Sequence, residues 1–446
     1  QLRAAGIDSF LDPDRVLSAG NFTRRFEKEL QARGCLLLMQ TAAALQAPVV
    51  QAELDFAYRH HIEIIPLTFA PLNMRDTGEF RFLLNLKGVD FRAWNDRQGE
   101  PAALKKLLER LNQRDANQVI TVKNATNLAP SATLQGHSSW VREVTFSPDG
   151  TLLASCANDN TICIWDIRTG DRTGMLPPLL TRIADHDKLV WALEFAPRHP
   201  LLASAAADST IRLWDLNSLP NTYEFTRFTD HKHPVYALSY SPDGKLLASA
   251  SHDNTVRVRD VSNVDVTGQA SQTVSLLHTA QVYWVVFSPN SRWLASAARD
   301  SAVRIWTVDA ADLGALGKTT PRFLRAHNSW VNSAVFSPNS LVLASAGNDG
   351  EIVLWDVQHG DQLARLTGHT DSVNALAFSS DGSLLASAAR DDTVRLWDLN
   401  SFKAMATIKG HERGVNSVTF SPDGTKLVTG SGDSTIKIWT LTPKLA

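Results

Sequence analysis

Cysteine is scarce in this chain: Cys35, Cys156 and Cys163 are the only three in 446 residues. An odd, widely spaced set without metal-ligand spacing excludes a disulfide framework and a metal site. It implies free thiols in a reducing compartment, so a cytoplasmic location is expected. An excess of one charge is also lacking. Forty-four Lys and Arg stand against 46 Asp and Glu, and no basic run occurs, so nothing in the charge pattern calls for nucleic acid. No apolar run approaches the roughly 20 residues that span a bilayer, and the first residues lack the apolar core of a signal peptide. No membrane partner is therefore expected. The P-loop pattern Gly-x-x-x-x-Gly-Lys-Ser/Thr is missing, which removes that class of nucleotide hydrolase. The chain opens on Gln1 rather than Met and is read as a piece of a longer product.

What is present is repetition. Seven histidines, His137, His186, His231, His278, His327, His369 and His411, recur with a period of 42–49 residues. Twenty-two residues after each stands an Asp: Asp159, Asp208, Asp253, Asp300, Asp349, Asp391 and Asp433. Eighteen residues after each stands Ser or Thr, from Ser155 to Thr429. Twenty-eight residues after each stands Trp, except in the third repeat, where Arg259 takes its place. Between these anchors the chain alternates with the two-residue period of a strand, as in Val141–Phe146. Ser-Pro-Asp-Gly then turns it back, because Pro presets φ and Gly accepts a positive φ. A 40-odd-residue unit of strands and tight turns is the sequence form of one propeller blade.

These words resemble the WD40 family over about 310 residues. The resemblance implies an all-β seven-bladed propeller in which the His, Asp, Ser/Thr and Trp of a blade form one buried hydrogen-bonded chain. Seven copies of an Asp–His–Ser set read as structure rather than as seven hydrolase triads or metal sites. The third repeat, with Arg259, is expected to have an incomplete chain and to be the weakest blade. The last repeat runs out after three strands, so the family's closure implies that the early segment Ser131–Leu134 completes it. The resemblance also places positions three and five residues after each His, and one before each Asp, around the channel entrance. On this sequence they include Trp140, Arg142, Trp191, Tyr236, His252, Tyr283, Arg299, Trp330, Asn332 and Arg390. Aromatic and Arg side chains are enriched at binding hot spots, so a protein or peptide partner is expected there.

Residues 1–113 read differently. Apolar runs at Ile7–Phe10, Leu36–Met39, Ile62–Leu67 and Val89–Phe91 alternate with helical stretches near Phe22–Arg33, Val49–His60 and Pro101–Leu111. That order argues for a parallel sheet covered by helices. Ala-Ala-Gly-Ile-Asp-Ser-Phe-Leu-Asp, Leu-Ser-Ala-Gly-Asn-Phe and Thr-Ala-Ala-Ala-Leu-Gln-Ala-Pro-Val-Val-Gln-Ala-Glu resemble the TIR (Toll/interleukin-1 receptor) domain. The resemblance implies a flavodoxin-like α/β domain whose first strand would precede Gln1, and it puts the family's functional Glu at Glu53. Some TIR domains cleave NAD, which would here be substrate and not cofactor; others only self-associate. Val49 and Ala47 depart from residues common in bacterial members. The expected organisation is therefore multi-domain: a TIR-like domain at 1–113, a linker at 114–130 and the propeller at 131–446. Two functions follow: a scaffold or sensor that holds a partner on the propeller and signals through TIR assembly, or a propeller-regulated NAD glycohydrolase of bacterial defence. No cofactor is expected in either.

Overall fold

The computed structural model describes residues 119–168, 175–264, 270–309 and 312–441, together with the backbone of two strands nearer the N-terminus. The chain divides into two compact units, Gln1–Asn117 and Gln118–Ala446. In the first, strands Cys35–Gln40 and Glu63–Thr68 pair in parallel, with Cys35 opposite Glu63 and Gln40 opposite Thr68. They fall on two of the expected apolar runs, and a parallel pair requires a crossover connection between its strands. The other expected strands and helices, and Glu53 itself, lie outside the described residues.

The second unit is seven four-stranded antiparallel sheets. Blade 1 comprises Val141–Phe146, Leu152–Ala157, Ile162–Asp166 and Leu179–Ile183 in that order. Blades 2 to 6 repeat the meander, beginning at Val190–Phe195, Val235–Tyr240, Val282–Phe287, Val331–Phe336 and Val373–Phe378. Blade 7 has three strands in sequence, Val415–Phe420, Leu427–Ser431 and Thr435–Leu441, and takes its fourth, Leu128–Gln135, from the start of the unit. The strands pair from Leu128 opposite Leu441 to Gln135 opposite Thr435. The expected closure is thus present, and the closing strand is longer than Ser131–Leu134. Pro130 offers no N–H to the ladder, the register shifts between Pro130 and Ala132, and the Ser131 hydroxyl donates to the Ile438 carbonyl at 3.1 Å.

Residues 119–130, expected as linker, belong with the propeller. Ile120 and Ala125 are each 1% exposed and pack among Ala375, Val394 and Trp439. The Ile120 N–H donates to the Gly424 carbonyl at 2.9 Å. The short apolar stretch Val119–Val122 explains the difference, since buried apolar surface holds a segment down more firmly than its polar neighbours loosen it.

One irregularity repeats in every blade. The register of the first strand shifts at the same place: between Val141 and Glu143, Val190 and Ala192, Val235 and Ala237, Val282 and Trp284, Val331 and Ser333, Val373 and Ala375, and Val415 and Ser417. A bulge leaves one residue out of the pairing and re-aims its side chain. The seven bulged residues are Arg142, Trp191, Tyr236, Tyr283, Asn332, Asn374 and Asn416.

Candidate interaction face

The repeated His–Asp–Ser–Trp words are structural. In blade 2, His186 meets Asp208 at 2.8 Å through Nδ1 and the Ser204 hydroxyl at 2.7 Å through Nε2, while Trp214 Nε1 donates to that hydroxyl at 2.8 Å. Blades 1, 5, 6 and 7 repeat the set, with Thr429 as the hydroxyl in blade 7. Ser155, Ser204, Ser249, Ser296, Ser345, Ser387 and Thr429 are all 0% exposed, so no substrate reaches these hydroxyls. Each buried polar group satisfies the next, which is the condition for tolerating such a chain in the interior.

Two blades vary the set. The third is not incomplete. Arg259 is 0% exposed, its Nη1 donates to Ser249 at 2.7 Å where the other blades place an indole N–H, and its Nη2 pairs with Asp230 at 2.7 Å. The guanidinium also lies over the Phe228 ring at 5.3 Å. Asp230 stands where blades 1 and 7 carry Gly136 and Gly410, and at those glycines a Cβ would sit within 2.6–2.7 Å of the indole. Asp at this position is not tied to Arg, since blade 2 carries Asp185 together with Trp214; what distinguishes blade 3 is that its guanidinium reaches Asp230. In blade 4, Arg304 pairs with Asp300, so the Nδ1 of His278 turns to the Leu276 carbonyl at 3.2 Å. Burial, and then the charge of Arg304, pushes His278 down to about 4, and it is neutral at physiological pH.

The bulged residues divide the ring into two arcs. In blades 5, 6 and 7 an Asn amide reaches the next blade: Asn332 donates to the Ser372 hydroxyl at 2.8 Å and the Val373 carbonyl at 3.1 Å, Asn374 to the Val415 carbonyl at 2.9 Å, and Asn416 to the Val141 carbonyl at 2.8 Å. These are staples between blades. Blades 1 to 4 carry Arg142, Trp191, Tyr236 and Tyr283 instead and give the staple up. Deeper side chains take over at three of those junctions. Glu143 accepts from the Leu193 N–H at 2.7 Å, Glu194 from the Tyr240 N–H, and Ser239 from the Phe287 N–H at 3.0 Å. Burial lifts the Glu143 and Glu194 carboxyls to about 8.

The released positions form one continuous run of rings. Arg142 lies 5.2 Å from the Trp140 ring and 4.2 Å from the Trp191 ring, with Nε fixed on Asn158 Oδ1 at 2.6 Å. Trp191 meets Tyr236 edge-on at 4.9 Å, Tyr236 meets Tyr283 at 5.2 Å, and Tyr283 stacks on Trp330 at 6.0 Å. Arg299 covers Trp330 at 4.1 Å, and His252 sits 5.9 Å from Tyr236. Trp140 and Trp330 remain 40% and 38% exposed, high for Trp, and Arg299 is exposed. Of the ten sequence-selected residues, eight thus meet in this arc. Asn332 uses its amide hydrogens on the next blade, and Arg390 is exposed on blade 6, away from the ring contacts. Asn158, which holds Arg142, stands one residue before Asp159 and so at one of the sequence-expected entrance positions.

Family comparisons agree with this architecture. Residues 128–166 and 402–440 match the WD domain, G-beta repeat model, and residues 190–401 match that of the TEP-1 second beta-propeller. The C-terminal unit is a WD40-repeat propeller. Residues 1–108 match the TIR domain model. Among curated proteins, the chain is 31% identical over 98 residues to a probable cytosolic iron-sulfur protein assembly protein 1 of Debaryomyces hansenii, covering 22% of this chain and 24% of that one. It is 47% identical over 47 residues to the small ribosomal subunit protein RACK1 of Medicago sativa, 10% of this chain and 14% of that one. It is 57% identical over 35 residues to the nuclear distribution protein PAC1 of Arthroderma otae, 8% of each chain. The chain spans a quarter or less of the length of these relatives. Among the described residues of the WD40 chain, no helix is long and apolar enough to cross a membrane, and no group of His, Cys, Asp and Glu is placed to hold a metal ion.

Proposed function

We propose that the propeller is a docking module that takes a protein or peptide segment on the aromatic arc of blades 1 to 5, and that the TIR-matching region relays the occupied state through TIR–TIR association. One observation carries the reading: blades 1 to 4 abandon the Asn staple that blades 5 to 7 keep, and what replaces it is a connected set of Trp, Tyr and Arg. Side chains chosen for stability alone would repeat the staple around the ring. The sequence likeness to WD40 proteins, RACK1 among them, supports an interaction role in kind. The test is capture of binding partners by wild type and by the double variant Trp140→Ala/Trp330→Ala. A hot-spot aromatic carries at least about 2 kcal/mol, so the double variant loses the partners that wild type holds. Retention of the same partner set refutes the reading.

A second reading rests on the TIR match across residues 1–108, which includes the position of Glu53. In it the region cleaves NAD, with the Glu53 carboxylate stabilising positive charge on the ribose as nicotinamide leaves. Incubation with NAD in the presence of captured partner tests it. Nicotinamide release that Glu53→Gln abolishes supports it, and release that survives Glu53→Gln shows that Glu53 is not the residue.

A further inference from the structure

We propose that Arg142 and Trp191 form a receptor for one anionic side chain of the docked segment, a carboxylate or a phosphate, with Arg299 on Trp330 as a second cationic contact. The proposal rests on the reading of the entrance as a docking face and names the chemistry that face selects.

Arg142 lacks a counter-ion among the described residues. The buried arginines have carboxylates: Arg212 pairs with Glu224 at 2.9 Å, Arg259 with Asp230 at 2.7 Å and Arg304 with Asp300. Arg142 is half-buried, and burial pushes its guanidinium below its ordinary value. Yet among the described residues it has no carboxylate partner, and its one side-chain hydrogen bond is to Asn158. A desolvated cation without a partner is costly, and an arriving anion relieves that cost.

The guanidinium is also preorganised. Asn158 holds Nε, and the Trp191 face holds the guanidinium plane. Four of the five N–H donors of the guanidinium, those on Nη1 and Nη2, are left for an acceptor, and this is the fork that binds carboxylate or phosphate. A cation–π contact alone uses none of them.

The indole Nε1 of Trp191, the ring on which Arg142 lies, is buried and meets no acceptor among the described residues.

The charges at these positions share one sign. Position by position, the twenty-one entrance residues (three, five and twenty-one after each His) include Arg142, Arg299 and Arg390 and no Asp or Glu. Burial first, and then the neighbouring His233 and Arg299, push His252 below its ordinary value. A site of this sign favours an acidic segment and rejects a basic one.

The experiment titrates three fluorescein-labelled six-residue peptides against the full chain and reads anisotropy: hexaglutamate, a Gly/Ser peptide carrying phosphoserine, and hexalysine. At least one anionic probe binds, its affinity falls as salt rises, and hexalysine does not bind. Binding of hexaglutamate alone assigns a carboxylate, and binding of the phosphopeptide alone assigns a phosphate. Arg142→Gln weakens the bound probe at least tenfold without lowering the melting temperature, while Arg142→Lys, which keeps the charge but loses the fork, weakens it less. Should Arg142→Gln melt early, the exposed Arg299→Gln carries the test, with an expected loss of at least threefold. Failure of both anionic probes to bind, or unchanged binding by the folded Gln variants, overturns the proposal. If partners are captured in a Trp140- and Trp330-dependent way while neither anionic probe binds, the docking face stands and this assignment falls.

Discussion

Replacing Arg259 by Ala unpicks the third blade at its centre. The guanidinium is 0% exposed, and it links Ser249 to Asp230 with two bonds of 2.7 Å. Removing one member of a buried ion pair costs about 3–5 kcal/mol, because the remaining partner is left desolvated. Here Asp230 keeps Arg257 at 2.8 Å, and 35% of its side chain is exposed, so the low end applies, about 3 kcal/mol. In a unit of this size each kcal/mol moves the melting temperature by about 2 °C, which sets the expected drop near ~6 °C. Calorimetry at fixed pH and salt reads it directly. Arg259→Trp supplies an indole donor to Ser249 and leaves Asp230 with Arg257, the combination of Asp and Trp that blade 2 carries in Asp185 and Trp214. It should therefore melt above Arg259→Ala and toward wild type. An Arg259→Ala variant that melts like wild type would refute the view that this arginine replaces the tryptophan.

Three further outcomes follow from the packing. Trp439→Ala, which removes a side chain 2% exposed and its bond to Thr429, should destabilise by about 3–5 kcal/mol in the same calorimetric assay. Deletion through Leu134 removes the strand that closes blade 7 and should yield a protein that self-associates on sizing columns, whereas deletion through residue 117 leaves a monomeric propeller; equal behaviour of the two contradicts the closure. Glu143 and Glu194 titrate near 8 when folded against 4.5 as ordinary carboxyls, so between those values the folded state holds protons that the unfolded state has lost. Stability therefore falls as pH rises from 4.5 through 8, and Glu143→Gln should gain on wild type in melts at pH 8 and lose that advantage toward pH 4.5.

The repeat made most of the propeller legible in advance. A His–Asp–Ser–Trp set at fixed offsets names the blades, and a final repeat of three strands demands a fourth from elsewhere. What stayed hidden was relational. Arg259 looks like a loss when set against six tryptophans. Asp230 does not mark it as paired either, because blade 2 carries Asp185 at the same position with Trp214; only the folded blade brings the guanidinium to Asp230. The staples were harder to see. Asn332, Asn374 and Asn416 share an offset with Arg142 and Trp191, but nothing in the letters says that the first three reach across to a neighbouring blade. Asn332 was accordingly grouped with binding residues whose surroundings it does not share. The linker reading gave too little weight to Val119–Val122, where a few apolar residues suffice to seat Ile120 in the core.

The central claim is that the entrance side chains of blades 1 to 4 are kept for recognition and not for stability. Arg142→Asn tests it most directly, because it removes an unpaired, half-buried cation and installs at the bulge the residue that staples blades 5 to 7. A staple is worth about 0.5–1.5 kcal/mol net. Measured together on the full chain, the melting temperature of Arg142→Asn should equal or exceed that of wild type while partner capture is lost. A lower melting temperature with capture intact would contradict the claim and make the arc a piece of blade packing.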